Sequence, residues 1–250
     1  MSKNWICPEC RSVFTEDDFK AGLLGEVCPI CGHPLGRVKP PTSLPPKPSV
    51  SYKQLGILVL DGSGSMVAKT KELTTKAEAV SKSVTEFFDM MKVSRINNHF
   101  CFAVVDFDKK AYRKLGVTET ENIDTRADYN PVHVKGGVTY LYSGLEEAER
   151  IADEFLGSSD KGTRSVVVVI MTDGLDMNEG KAKETADRMK EKYGEGLKIT
   201  ASCFGTRDIS DSDRTKIMAF LKTIVTDETM CLETSSAEEL RSFFIRSVSR

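Results

Sequence analysis

The sequence is short of several things, and each shortage excludes a class of protein. It has one tryptophan and only three histidines in 250 residues. His33, His99 and His133 stand in no context that would pair them with a serine and a carboxylate, which argues against a serine-hydrolase triad. An excess of charge is missing too. There are 35 Lys and Arg against 37 Asp and Glu, a formal net charge of −2, so no whole-chain footprint for nucleic acid exists. Long hydrophobic runs are absent. The longest, Val166 to Met171, falls far short of the ~20 residues a bilayer requires. Residues 1–11 contain no apolar stretch of the secretory-signal kind. The expectation is a soluble, cytoplasmic protein without a membrane partner.

Proline is scarce except in one place. Of nine prolines, five fall within residues 39–48, a composition that excludes helix and central strand and favours a stiff, extended linker. A Pro-rich stretch also suits an SH3-like groove, the spacer being the simpler reading. The chain is therefore divided into a small unit at residues 1–38, a linker at 39–50 and a larger unit at 51–250.

What is present is alternation. Leu55 to Leu60 is an apolar run of the kind found in a strand covered on both faces. Ala77, Val80, Val84, Phe87, Phe88 and Met91 then recur at steps of three and four, as on an amphipathic helix. Further strands are expected at Phe100 to Phe107, with Ala111 to Val117 folding back as an edge, and at Ser165 to Met171, Leu197 to Phe204 and Thr229 to Leu232. Helices are expected at Leu141 to Phe155, Lys181 to Tyr193, Ser212 to Ile224 and from Ala237 onward, the last capped by Ser235 or Ser236. The fold class is α/β, a doubly wound and mostly parallel sheet with helices on both faces.

In such sheets ligands bind beyond the carboxyl ends of the strands. The first strand runs into Asp61-Gly62-Ser63-Gly64-Ser65-Met66, and a later one into Met171-Thr172-Asp173-Gly174. Between them Gly136-Gly137-Val138-Thr139 opens a helix. Two carboxylates and three hydroxyls form an all-oxygen donor set, which suits Mg²⁺ or Mn²⁺ and not Zn²⁺. Asp106 and Asp108, at the exit of an interior strand, read as solvated loop acids. Asp176 is left undecided.

These three segments, in this order, resemble the metal-ion-dependent adhesion site of von Willebrand factor A domains. The resemblance covers Tyr52 to the C-terminus. It implies that Ser63, Ser65 and Thr139 are direct or nearly direct ligands, and that Asp61 and Asp173 act directly or through water. Val138 stands where small residues are frequent. The function so implied is a binding module, in which a partner protein supplies an Asp or Glu to the metal. An enzyme of the aspartyl-phosphate phosphotransferase kind would need a second acid two residues after Asp61, and that position is Ser63.

The small unit carries Cys7-Pro8-Glu9-Cys10 and Cys28-Pro29-Ile30-Cys31, seventeen residues apart, the spacing of a four-thiolate structural zinc site. With so few residues it needs the metal to fold. His33 is read as a bystander. Trp5, Phe14 and Phe19 favour a protein contact or the unit's own small core. Cys101, Cys203 and Cys231 read as buried hydrophobes. An N-terminal zinc ribbon joined to a von Willebrand A domain resembles bacterial tellurium-resistance and stress-response proteins, although there the ribbon usually follows the domain. That resemblance implies kinase and phosphatase partners in phospho-signalling. The alternative is a transcription or repair scaffold whose ribbon contacts protein or nucleic acid.

Overall fold

The computed structural model describes residues 4–7, 9, 13–15, 27, 28, 30, 31, 33, 52–70, 74–133, 137–157, 163–205 and 209–249. Cys10, Phe19, Gly136 and the linker at 39–50 lie outside the described residues. In the N-terminal unit β1 (Asn4–Ile6) pairs antiparallel with β2 (Val13–Thr15), Trp5 opposite Phe14. Phe14 is buried, as a small core requires.

The larger unit is built on six strands: β3 (Tyr52–Asp61), β4 (Phe100–Phe107), β5 (Ala111–Glu119), β6 (Thr163–Thr172), β7 (Leu197–Phe204) and β8 (Cys231–Thr234). Their order across the sheet is β5-β4-β3-β6-β7-β8, all parallel except the edge strand β5. Helices α1 (Lys76–Val93) and α5 (Ala237–Val248) cover one face. Helices α2 (Leu141–Leu156), α3 (Glu179–Tyr193) and α4 (Asp211–Ile224) cover the other. The chain leaves β3 toward β4 and later returns to β6 on its opposite side, so the switch in winding direction falls at β3.

Strand alternation explains the two layers. Leu58, Leu60, Val167 and Val169 face α1 and α5, while Leu55, Ile57, Val59, Val166, Val168 and Ile170 face α2 to α4. On the first face Phe87 packs against Phe88, Phe102 and Phe244 with ring centroids 5.2 to 5.9 Å apart. Each such buried ring stabilises the fold by roughly 1.5–3 kcal/mol. No described helix is long and apolar enough to cross a membrane.

The expected elements are found with ends shifted by up to three residues: β3 starts three residues earlier than expected and β8 two residues later. Asp227 accepts from the amide and hydroxyl of Thr229 and holds Glu228–Met230 in a 3₁₀ turn, delaying the strand. The N-cap of α5 is Ser236, which accepts from Glu239 N. Cys101, Cys203 and Cys231 are buried in strands, as expected.

Asp106 and Asp108 are not solvated; both are buried. Asp108 is a turn residue, its Oδ1 accepting from Lys110 N at 3.1 Å. Asp106 Oδ2 meets His133 Nε2 at 2.9 Å and Lys114 Nζ at 3.2 Å, and His133 stacks on Tyr112 at 4.3 Å. Asp106 Oδ1 has no hydrogen-bond partner among the described residues. A loop and two side chains of β5 thus close over the acid, a burial that a single sequence window does not reveal.

Burial raises the Asp106 pKa to about 6, against the opposing pull of Lys114 and His133. Between about pH 4 and about pH 6 the folded chain keeps a proton that the unfolded chain has released. The contribution of Asp106 therefore falls as pH rises through that window, by about 3 kcal/mol at most. Urea midpoints measured from pH 4 to pH 7 should fall more steeply in the native chain than in Asp106→Asn, whose remaining slope comes from Asp61. An identical slope in both would overturn the assignment.

Candidate functional site

The site is assembled at the carboxyl ends of β3 and β6. These strands pair in register, Leu60 opposite Met171, so Asp61 and Asp173 leave the sheet side by side. Beyond Asp61 the chain turns at Gly62, where it must pass under residue 131. A Cβ on Gly62 would lie 2.2 Å from Pro131 O, so no side chain fits. Gly62 N donates to Phe107 O at 2.7 Å, and Gly64 N to Gly137 O at 2.8 Å. The first loop is thereby tied to β4 and to the loop that carries Thr139. A 3₁₀ turn, Gly64–Val67, follows.

The second loop is fixed in the same way. Tyr140 N donates to Asp108 O, and Met177 N to Thr139 O at 2.9 Å. Asp176, left undecided by sequence, has a structural role. Tyr140 at the start of α2 provides no side-chain cap, and Asp176 Oδ1 accepts from Leu141 N at 2.9 Å instead. A carboxylate there also suits the positive end of the helix.

The five residues singled out from sequence come together. Ser63 Oγ lies 2.9 Å from Ser65 Oγ, and Ser65 Oγ donates to Asp173 Oδ1 at 2.6 Å. Asp61 Oδ1 accepts from Ser63 N at 2.8 Å. A Cβ on Gly174 would meet Thr139 Oγ1 at 3.5 Å and Ser65 Oγ at 3.7 Å, so both hydroxyls face the same bare glycine. Only Ser65 is exposed; Asp61, Ser63, Thr139 and Asp173 are buried. Although the site opens to solvent through Ser65, Asp61 is not itself a surface residue. Asp61 is completely buried and both of its oxygens accept hydrogen bonds.

Two partners were not foreseen. Thr172 Oγ1 donates to Asp61 Oδ2 at 2.6 Å, and Lys76 Nζ donates to Asp173 Oδ2 at 2.8 Å. Thr172 lies inside a quoted motif, and its position at the end of β6 is the signal that could have found it. Lys76 carries no such signal, being one lysine among many until α1 docks.

Electrostatically the pair of carboxylates is unbalanced. Burial, then the charge of Asp173, raises the Asp61 pKa to about 7, against the hydrogen bonds from Thr172 and Ser63. A second cluster lies in the N-terminal unit, where sulfur atoms of Cys7, Cys28 and Cys31 all lie within 4.8 Å of one another. All three are buried, with Cys7 Sγ 3.4 Å from Cys31 Sγ. Cys28 N donates to the backbone oxygen of His33 at 2.7 Å, so His33 takes part through its main chain.

Comparison with known proteins agrees with this architecture. Residues 57–175 match the family model of the von Willebrand factor type A domain. No curated protein matches the chain significantly. Among solved structures, the pilus adhesin SpaC from Lactobacillus rhamnosus GG superposes with a TM-score of 0.65 at 14% identity, covering 80% of this chain and 31% of that one. Proximal thread matrix protein 1 from the mussel byssus, in a structure with a zinc-occupied MIDAS motif, gives 0.55 at 19% identity, covering 80% and 46%. The conserved hypothetical protein BatB from Bacteroides thetaiotaomicron gives 0.53 at 15% identity, covering 78% and 97%. The chain thus spans less than half of the adhesin and of the byssus protein, and at these identities the likeness is one of fold. Residues 57–175 are thus similar to the von Willebrand factor type A domain, and the six-stranded unit shares the fold of such adhesin domains.

Proposed function

We propose that this chain is a metal-dependent protein-interaction module and not an enzyme. In this reading Asp61, Ser63, Ser65, Thr139 and Asp173 hold Mg²⁺ or Mn²⁺, and an Asp or Glu of a partner protein completes the coordination. The observation that carries the reading is the ring of oxygens at the ends of β3 and β6. The 2.9 Å between the Ser63 and Ser65 hydroxyls is close to the ~3.0 Å edge of an octahedron with metal–oxygen distances of about 2.1 Å, and a short 2.6 Å hydrogen bond links Ser65 to Asp173. A divalent cation is also the charge that two buried, mutually repelling carboxylates call for. The byssus protein structure with a zinc-occupied MIDAS motif supports divalent-metal binding in this fold.

Catalysis by Asp61 as a nucleophile is disfavoured by its surroundings. Its two oxygens are held by Ser63 N and Thr172 Oγ1, and Ser63 occupies the position where a second acid would serve.

The rim of the site supports a protein as the ligand. Val67, Leu175 and Met177 are 41%, 38% and 65% exposed, and they belong to the loops that carry Ser65 and Asp173. Met177 also bonds to the Thr139 loop. The fitting partner is an acidic residue on a loop with apolar neighbours, since the metal answers the carboxylate and the rim the flanking side chains. The N-terminal unit is read as a zinc ribbon, in which Cys10 joins Cys7, Cys28 and Cys31. Reduced thiolate ligands favour an intracellular scaffold. The stress-response and phospho-signalling setting rests on the pairing of ribbon and domain.

Titration with Mn²⁺ should reveal one site in the native chain, weakened about tenfold or more by Ser65→Ala, a change at an exposed position that removes the hydroxyl donating to Asp173 Oδ1. Asp61→Ala should abolish binding and also cost about 1–3 kcal/mol, because two hydrogen-bond donors lose their acceptor. A partner recovered from native extract should bind in Mg²⁺ and not in EDTA; binding unchanged by EDTA and by Ser65→Ala would overturn the mechanism.

Metal analysis of protein purified without chelator should find about one zinc. Cys28→Ser should release it while leaving the thermal transition of the sheet domain in place. Protein without zinc would refute the ribbon.

A further inference from the structure

Lys76 is the first residue of α1, and it points into the site instead of into solvent. It is 4% exposed, and its ammonium lies 2.8 Å from Asp173 Oδ2. Among the described residues no other ion pair has both side chains less than a tenth exposed. Removing two charges from water is costly, and their attraction offsets that cost only in good geometry. Such a pair is weak evidence for stability, so its presence beside two carboxylates asks for another reason.

The lysine is held from three sides. Thr75 and Glu78 form a capping box that fixes the first turn of α1. Lys76 N donates to Ala68 O at 2.9 Å, tying the helix start to the chain just beyond Ser65. Gly205 supplies room for the stem. Its φ of +72° suits glycine, and a Cβ there would lie 2.9 Å from Lys76 Cε and 3.3 Å from Nζ. Gly205 in turn donates to Thr234 O, which anchors it between β7 and β8. The ammonium is a tethered cation with little freedom to move away.

Its consequence is a matter of charge. Asp61 and Asp173 offer two negative charges, and Ser63, Ser65 and Thr139 offer none. Two carboxylates alone would neutralise a divalent ion. With Lys76 on Asp173 Oδ2 the site presents a net charge of −1. On the metal-site reading given above, we infer that Lys76 is a specificity-determining residue that withholds part of the charge of Asp173 from the metal. The bound ion then keeps about one uncompensated positive charge, and an anionic partner group is required to complete the site. The lysine lowers affinity for the bare ion and makes carboxylate binding favourable.

The test compares the full-length native chain with Lys76→Met, which keeps the length and loses the charge, and Lys76→Gln, which keeps a hydrogen-bond donor for Asp173. Mn²⁺ affinity is measured by titration with and without acetate as the carboxylate probe, after thermal unfolding has shown which variants are folded. Both variants should bind Mn²⁺ about tenfold more tightly than the native chain. Acetate should tighten Mn²⁺ binding by the native chain and have a smaller effect on the variants. If Lys76 only positions Asp173, Lys76→Met will bind more weakly and Lys76→Gln will match the native chain, and either result overturns the inference. Lys76→Gln decides the question alone if Lys76→Met does not fold. If the native chain shows no Mn²⁺ site sensitive to Ser65→Ala, the metal-site reading itself fails, a result distinct from any outcome for Lys76.

Discussion

Two carboxylates at the ends of adjacent parallel strands are the constraint around which this domain is arranged. Parallel pairing leaves no freedom to stagger Asp61 and Asp173, because the register that buries Leu60 beside Met171 also brings the acids together. The apolar layers that cover both faces then exclude water from them. Burial and repulsion act in the same direction on Asp61, and the surrounding groups oppose both. Ser63 N, Thr172 Oγ1, Ser65 Oγ and Lys76 Nζ each donate to one carboxylate oxygen. The geometry of the three loops follows from the need to place those donors.

Asp106 offers a contrast within the same strand edge. It too is buried, yet its counter-charges are side chains of the protein itself, Lys114 and His133. That acid sits beneath a loop at the end of β4 and is itself fully buried. Asp61 and Asp173 are satisfied by neutral hydroxyls, an amide and a single lysine, and Ser65 keeps the group open to solvent. The difference between a structural acid and a candidate ligand lies in the identity of the donors and in access to solvent, not in burial.

The same bookkeeping of charge connects the site to its rim. In the proposed function, a metal retaining positive charge at the bottom of a partly apolar surface would discriminate on two grounds. A free carboxylate satisfies the ion and leaves Val67, Leu175 and Met177 exposed, whereas a carboxylate on a protein loop covers both. Charge supplies selection against neutral ligands, and apolar contact supplies selection against small anions.

Much of this was legible in the chain. Apolar periodicity placed the helices, since Ala77, Val80, Val84, Phe87, Phe88 and Met91 can share a face only on a helix. Continuous apolar runs identified β3 and β6 as interior strands, and turn residues after them located the edge where a ligand would bind. Asp61, Ser63, Ser65, Thr139 and Asp173 were found because each belongs to a short segment whose spacing means something locally. Tertiary structure alone decided what those groups face. The burial of Asp61 depends on strands whose paired residues lie 46 and 111 positions distant, which no window around it reports. Asp106 looks like a loop acid until β5 and residues 128–133 close over it. Lys76 is indistinguishable in sequence from the solvated lysines around it, and its partner Asp173 lies 97 residues away. Local patterns encode the backbone because hydrogen bonding and apolar spacing are short-range in sequence. Charge pairing and desolvation are set by groups that meet only after the sheet has formed.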